Sequence, residues 1–369
     1  MDFELSDEQA MLREASRDML STRTPLERAR TDQSGAVLDP ELWRLGGELG
    51  WVGLAVPDEH GGTGQGLSEL VLVAEELGRA GAPDPFVPAA LVALAVARDG
   101  DPALRAEVLP ALADGTDSAT WAVAEPGRAW APEALSAVAR PTAGGYVLDG
   151  AKSAVQDAER ARWLLVTALL DGEPRSLLVD RDSPGVSIRK QEAFDLTRTF
   201  YEVRLDDVAV PAGRLLGGGS AAVRHLLDDA SVLVAADALG AMERLLALTV
   251  EHVSTRVQFG RPIGSFQAVK QACASMALDA HATRAATHYA AMAADAGAPD
   301  SARAACAAAS YAGGAAHRVA GQALQLHGGI GFTWEHDLHL HLRRATVDAV
   351  LYGDSAVHDD RLCDLLQAG

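Results

Sequence analysis

Hydrophobic spacing along the chain changes period twice. From the N-terminus to about residue 117, apolar residues recur at steps of three and four, the period of helices. Ser6-Asp7-Glu8-Gln9 has the form of a capping box, a Ser hydroxyl for the third amide and a Gln reaching back. The apolar positions after it predict a helix through Leu20. Leu42, Leu45 and Leu49 continue the pattern, and Trp51 follows. Pro57 to Gly66 is a Gly-rich loop, and Leu67 to Gly78 predicts a helix stopped by its glycine. Between residues 119 and 216 short apolar runs replace the helical period. Trp121–Ala124, Leu135–Ala139, Tyr146–Leu148, Leu164–Thr167, Leu177–Val179, Val186–Ile188 and Val203–Leu205 each predict a strand. Gly144-Gly145, Asp149-Gly150 and Asp171-Gly172 mark turns, and strands this close together imply a small antiparallel barrel or sandwich. From about Ala221 the helical period returns in Ala-rich segments, broken at Gly260-Arg261-Pro262, Gly297-Ala298-Pro299 and Gly328-Gly329. That pattern predicts an antiparallel four-helix bundle. The expected α+β organisation is a helical domain over 1–117, a β domain over 118–218 and a helical bundle over 219–369.

The length of 369 residues suits two or three domains, and a hydrophobic fraction of 48% supplies a large core. Aromatic residues are only 5%, while alanine and glycine are abundant, a composition suited to close helix packing. Lys+Arg 32 against Asp+Glu 51 gives a net charge of −19. A field of that sign disfavours nucleic acid and anionic membrane surfaces, but leaves room for a small anion held by a few local arginines. Cys273, Cys306 and Cys363 are odd in number and far apart, which reads as reduced thiols. The start Met-Asp-Phe-Glu is acidic where a signal peptide is basic, and no apolar run reaches the ~18 residues of a membrane span. A cytoplasmic location is expected.

The blocks richest in chemistry lie in the last third. Arg256-Val257-Gln258-Phe259-Gly260-Arg261-Pro262-Ile263-Gly264-Ser265-Phe266-Gln267 sets a permanent cation and neutral donors beside helical sequence. Gln325-Leu326-His327-Gly328-Gly329-Ile330-Gly331-Phe332 adds backbone that a ligand can approach closely. Earlier come Gly50-Trp51-Val52-Gly53-Leu54-Ala55-Val56-Pro57-Asp58-Glu59-His60-Gly61-Gly62, Glu75-Glu76-Leu77-Gly78-Arg79, Val123-Ala124-Glu125-Pro126 and Gly150-Ala151-Lys152.

In this order, these six segments resemble the acyl-CoA dehydrogenase family over nearly the whole chain. The run from Gly328 to Arg344 resembles its actinobacterial members, including subunits of heteromeric enzymes used on steroid side chains. The resemblance implies FAD as cofactor, an acyl-CoA thioester as substrate and α,β-desaturation as the reaction. It also implies an electron-transfer flavoprotein or similar acceptor, and a homo- or hetero-oligomer. Arg256, Gln258, Phe259, Gln267, Gln325, Gly328 and Gly329 would then serve a flavin shared across a subunit interface.

The chain departs from the family pattern where the chemistry needs a base. Tyr352 of Leu351-Tyr352-Gly353-Asp354 stands where a Glu is expected, and Ala230 occupies the alternative position. A tyrosine is a poor base near neutral pH, its unperturbed pKa being ~10. Asp354 is the candidate replacement, and Asp237 a second. The competing reading of Asp354 is a helix N-cap, and that of Asp237 a polar residue at a helix seam. The flavin-facing side chains of the β domain are also altered, to Ala124 and to Ala154-Val155-Gln156. These departures suggest one subunit of an α2β2 enzyme whose related partner supplies the ring pocket and the carboxylate. A scaffold or regulatory subunit without redox activity, or a non-redox acyl-thioester enzyme on the same fold, stays open beside it. Glu335-His336-Asp337-Leu338-His339-Leu340-His341 has metal-ligand residue types, but His341 falls on another helix face from His336 and His339, so no metal site is expected.

Overall fold

The structure is a computed structural model that describes residues 4–23, 26, 29, 39–83, 85–128 and 130–367. Met1–Phe3, on which the acidic start of the chain partly rests, lie outside them. The first helix, α1 (Asp7–Ser21), opens on the expected capping box. Gln9 N–H donates to Ser6 Oγ at 3.2 Å and Ser6 N–H to Gln9 Oε1 at 3.1 Å. Then follow α2 (Pro40–Glu48), α3 (Leu67–Ala80), α4 (Phe86–Asp99) and α5 (Pro102–Ala113). Helix α3 runs past Gly78, where the sequence predicts its end, and closes on Gly81 at φ +61°. Gly78 is needed for contact rather than for termination. A Cβ there would lie 2.0 Å from the carbonyl oxygen of Asp237, and one at Gly240 would lie 1.9 Å from that of Glu75. Two facing glycines thus let two helices touch along their backbones.

Seven strands follow, as the spacing predicts: β1 (Ala119–Ala122), β2 (Val138–Thr142), β3 (Gly145–Gln156), β4 (Trp163–Leu170), β5 (Glu173–Asp180), β6 (Val186–Gln191) and β7 (Phe200–Pro211). They form one sheet in the order β1-β4-β2-β3-β7-β6, with β5 beside β4. Hairpin pairs are antiparallel, but β1 and β2 both run parallel to β4. The β2–β3 hairpin separates β1 from β4 in sequence, so β4 returns in the direction of β1. Trp163–Val166 of β4 are all buried, and their unbroken apolar run marks a strand covered on both faces.

The C-terminal part comprises α6 (Gly219–Thr255), a tight hairpin β8 (Val257–Gln258) and β9 (Arg261–Pro262), and α7 (Gln267–Asp295), α8 (Ser301–His327), α9 (Leu338–Asp348) and α10 (Ser355–Gln367). Helix α6 is buried continuously from Asp229 to Met242, because α3 and α4 cover one side and α7, α8 and α9 the other. Such all-round burial removes the one-sided apolar stripe of a surface helix.

A buried charge cluster joins the sheet to the helices. Arg344 of α9 grips Asp237 of α6 with both ends of its fork, at 2.7 and 2.6 Å, and donates to Ala82 O at 2.8 Å and Thr197 Oγ1 at 2.9 Å. Arg198, between β6 and β7, reaches Asp237 at 2.9 Å and also bonds Asp348 of α9. Burial opposes charge on Asp237, yet Arg198 and Arg344 hold its carboxyl well below the usual carboxylate range. Burial pushes Asp348 well up, and the neighbouring Asp237 adds to the rise. The cluster therefore sets two cations, Arg198 and Arg344, against the carboxyl groups of Asp237, Asp195 and Asp348, with burial working against charge on the last.

Candidate functional site

Two helix ends converge on one face. His252, in the last turn of α6, stacks on His327, the last residue of α8, with ring centroids 4.5 Å apart and 22° between planes. Arg256 follows one turn later, its N–H on His252 O at 2.9 Å, and Gly328 follows His327 directly at φ +62°. The hairpin turn places Phe259 and Gly260 at positive φ (+52° and +76°) and leaves Phe259 89% exposed. Its ring meets Phe266 edge-on at 6.1 Å, just before Gln267 opens α7. Gln258, Gln267, Gln325, Gly328 and Gly329 are all exposed, and a Cβ on either glycine would meet nothing within 4 Å. The Arg256 side chain makes no hydrogen bond or ion pair among the described residues. The fold thus gathers the sequence-predicted binding residues at the ends of α6 and α8, the hairpin between α6 and α7, and the start of α7. A guanidinium, side-chain amides and open backbone fit the phosphates and polar edges of an anionic dinucleotide. Nothing among the described residues satisfies that guanidinium.

A second feature is an open, mainly apolar cleft of about 380 Å³ between the sheet and α9, walled by Trp130, Ala154, Phe194, Phe200, Val347 and Leu351. Its floor departs from a polar ring pocket. A bulge between Lys152 and Val155 holds Ala154 at φ +51°, and the Ala154 N–H donates to Gln191 Oε1 at 2.9 Å. The Gln156 amide donates to Asp157 Oδ2 at 3.2 Å, and Ala124 has no polar side-chain atom to offer. The matched Glu125 and Lys152 form a buried ion pair at 2.8 Å, which ties the segment after β1 to β3. Burial pushes the Lys152 amine down to about 8 against the pull of Glu125. Trp130 and Phe194 lie outside every matched segment and follow no periodic pattern, so sequence reasoning passed over them. The exposed Glu192 at the rim was missed for the same reason.

The carboxylates weighed as bases are committed elsewhere or sit away from the buried core. Tyr352 itself is buried at φ +59°, stacked on Trp121 at 5.7 Å with Trp130 edge-on at 5.0 Å. Burial pushes its hydroxyl well above the ordinary phenol range. Ala230 is fully buried in α6. Of its neighbours, Asp228 pairs with Arg361 and Asp229 with Arg98 at 3.0 Å. Asp237 is held by two arginines, the polar helix-seam arrangement rather than a free base. Asp354 is exposed, and its Oδ1 accepts the Val357 N–H at 3.0 Å at the start of α10. The histidine-rich segment splits up: His336 meets the edge of His327, His339 stacks on Trp334, and His341 is fully buried.

Two family models match the chain: "Acyl-CoA dehydrogenase, N-terminal domain" over residues 6–116 and "Acyl-CoA dehydrogenase, C-terminal domain" over residues 217–364. The acyl-CoA dehydrogenase IpdE2 of Mycolicibacterium smegmatis is 32% identical over 95% of this chain and 96% of its own length. Among solved structures, the ChsE4–ChsE5 complex from Mycobacterium tuberculosis aligns with a TM-score of 0.92 and 30% identity, covering 100% of both chains. The Tcur3481–Tcur3483 steroid acyl-CoA dehydrogenase aligns with a TM-score of 0.90 and 33% identity, covering 98% of both chains.

Proposed function

The chain belongs to the acyl-CoA dehydrogenase family, flavoprotein oxidoreductases that use FAD, and from that premise we propose that it acts as the base-lacking subunit of a heteromeric enzyme. Bound FAD supplies the acceptor for the hydride that leaves the β carbon of the thioester. In this reading Arg256 holds the pyrophosphate, and Gln258, Gln267 and Gln325 donate to polar edges of the dinucleotide. Phe259 packs on a ring, and Gly328 and Gly329 let backbone amides come close. All of these residues are exposed in the single chain, which supports a cofactor shared with another subunit. A related partner chain supplies the ring pocket and the carboxylate that removes the α proton.

The observation that carries this reading is the position of Tyr352. It replaces the expected carboxylate and lies between two tryptophans, where neither ionisation nor access to a substrate proton is favoured. The complexes named above are assemblies or steroid enzymes, which supports a heteromer acting on a polycyclic acyl-CoA. Electrons would pass on to an electron-transfer flavoprotein or a similar acceptor. No described helix is long and apolar enough to cross a membrane. A cytoplasmic location completes the proposal.

Expression of the chain with and without related dehydrogenase chains tests it. The expected result is a stable complex that retains FAD and oxidises acyl-CoA only when the partner is present. A homomer that fills with flavin and turns over thioesters alone would sink the proposal.

A further inference from the structure

Beneath the exposed donors lie two imidazoles that the reaction does not use. Helices α6 and α8, of 37 and 27 residues, both end at the His252–His327 stack. Each helix C-terminus carries about −0.5 of a charge. A pyrophosphate adds two more negative charges. Against these stand Arg256, the exposed Arg261 of the hairpin and the N-terminus of the 29-residue α7, worth about +0.5. A proton on the histidines would add to that side, because a cation at a helix C-terminus is favoured by the terminal carbonyls.

The stack is built to accept a proton. His327 is 5% exposed, and its Nδ1–H donates to Ala323 O at 2.8 Å, which leaves Nε2 as the lone-pair nitrogen. That Nε2 is buried and makes no full hydrogen bond among the described residues, although the Leu248 backbone lies close enough to favour a proton on the ring. The Gly328–Phe332 turn folds back against the end of α8, so that a Cβ on Gly331 would sit 3.2 Å from His327 Cβ. Among the described residues, the titratable groups acting on the pair are Arg256 at the end of α6 and His336 from the turn before α9, and no carboxylate. Burial, the His327 ring and Arg256 push His252 below its ordinary value, while burial and His336 push His327 down against the opposing pull of the Ala323 and Leu248 backbone.

We propose that His252 and His327 form a proton-accepting floor under the pyrophosphate site, neutral in the free protein and sharing one added proton when the dianion binds between Arg256 and Gly328. This rests on the placement of the dinucleotide given under the proposed function. The pair acts through charge on the bound cofactor, and so its residues are positioning residues rather than catalytic ones.

The test is calorimetric titration of FAD into the flavin-stripped assembly, with any related partner retained, in two buffers of different ionisation heat. The expected result is uptake of about one proton per flavin near neutral pH, with affinity rising up to about tenfold per unit of acidification. His327→Phe and His252→Phe keep a ring in the stack and are expected to abolish the uptake and flatten the pH profile. Should a variant fold poorly, imidazole NMR of the unmodified assembly with and without FAD reads the same protonation directly. Flavin that binds without proton uptake, or uptake unchanged in both variants, overturns the inference alone. An assembly that binds no FAD at all overturns the dinucleotide placement as well.

Discussion

Replacing Arg344 by methionine probes the contact that holds the sheet on the helices. Arg344 is 2% exposed, and four of its hydrogen bonds are internal: two to Asp237, one to Ala82 O and one to Thr197 Oγ1. Methionine keeps most of the apolar stem, so the loss is chiefly electrostatic. Removing one side of a buried ion pair costs about 3–5 kcal/mol, and each acceptor left without its donor adds up to about 1 kcal/mol. Asp237 keeps Arg198 at 2.9 Å, which limits the damage. The expected loss is about 4–6 kcal/mol, a large part of the ~5–15 kcal/mol that stabilises a typical domain. Urea unfolding followed by tryptophan fluorescence measures it. The double variant Arg344→Met/Asp237→Leu removes both charges and should recover at least about half of the loss, since a buried pair replaced by apolar residues is often neutral. A loss under about 1 kcal/mol in the single variant, or strictly additive losses in the double, would refute the reasoning.

Four further outcomes follow from particular contacts. Glu75 is fully buried; burial opposes its charge, but His288 at 3.5 Å and Arg284 at 2.6 Å pull its carboxyl from 4.5 down to about 2. A folded-state pKa below the unfolded value stabilises above about 4.5 and loses that stability as pH falls toward 2. Glu75→Gln should therefore remove an acid-dependent contribution of about 3 kcal/mol, read from denaturation midpoints across that window. Gly240→Ala forces a methyl group to within 1.9 Å of Glu75 O, so α3 and α6 must part, with a net loss of about 2 kcal/mol in thermal unfolding despite the better helix propensity of alanine. Arg256→Ala should weaken FAD binding about 10–100-fold, the worth of a charge-assisted bond. It should shift flavin-free unfolding by less than about 0.5 kcal/mol, because the side chain has no hydrogen-bonding or ionic partner among the described residues. Asp354→Asn keeps a good helix cap, so stability and turnover of the assembly should change by less than about twofold; a hundredfold drop in turnover would instead make Asp354 the base.

Periodicity marked the order of helices, then strands, then helices, and the number of strands, because burial on one face imprints period 3.6 or period 2 on the residues that line it. The clustering of the candidate binding residues was legible for a related reason. Arg256, the glutamines and Gly328–Gly329 cluster in two short segments at helix ends, and each residue type announces its chemistry without neighbours. What escaped was set by contacts remote in sequence. Gly78 reads as a helix stop until Asp237 is seen against it, 159 positions away by number (237 − 78). Asp237 was weighed as a base because nothing local reveals Arg198 and Arg344 closing on it. The parallel pairing of β1 and β2 with β4 depends on which strands the intervening hairpin leaves adjacent, and the cleft walls Trp130 and Phe194 depend on where two loops come to rest. Local pattern is encoded in side-chain order along one element. Pairing of charges, crossing of backbones and closure of a cleft arise only when elements distant in sequence are pressed together by burial of a shared core, which leaves no period to read.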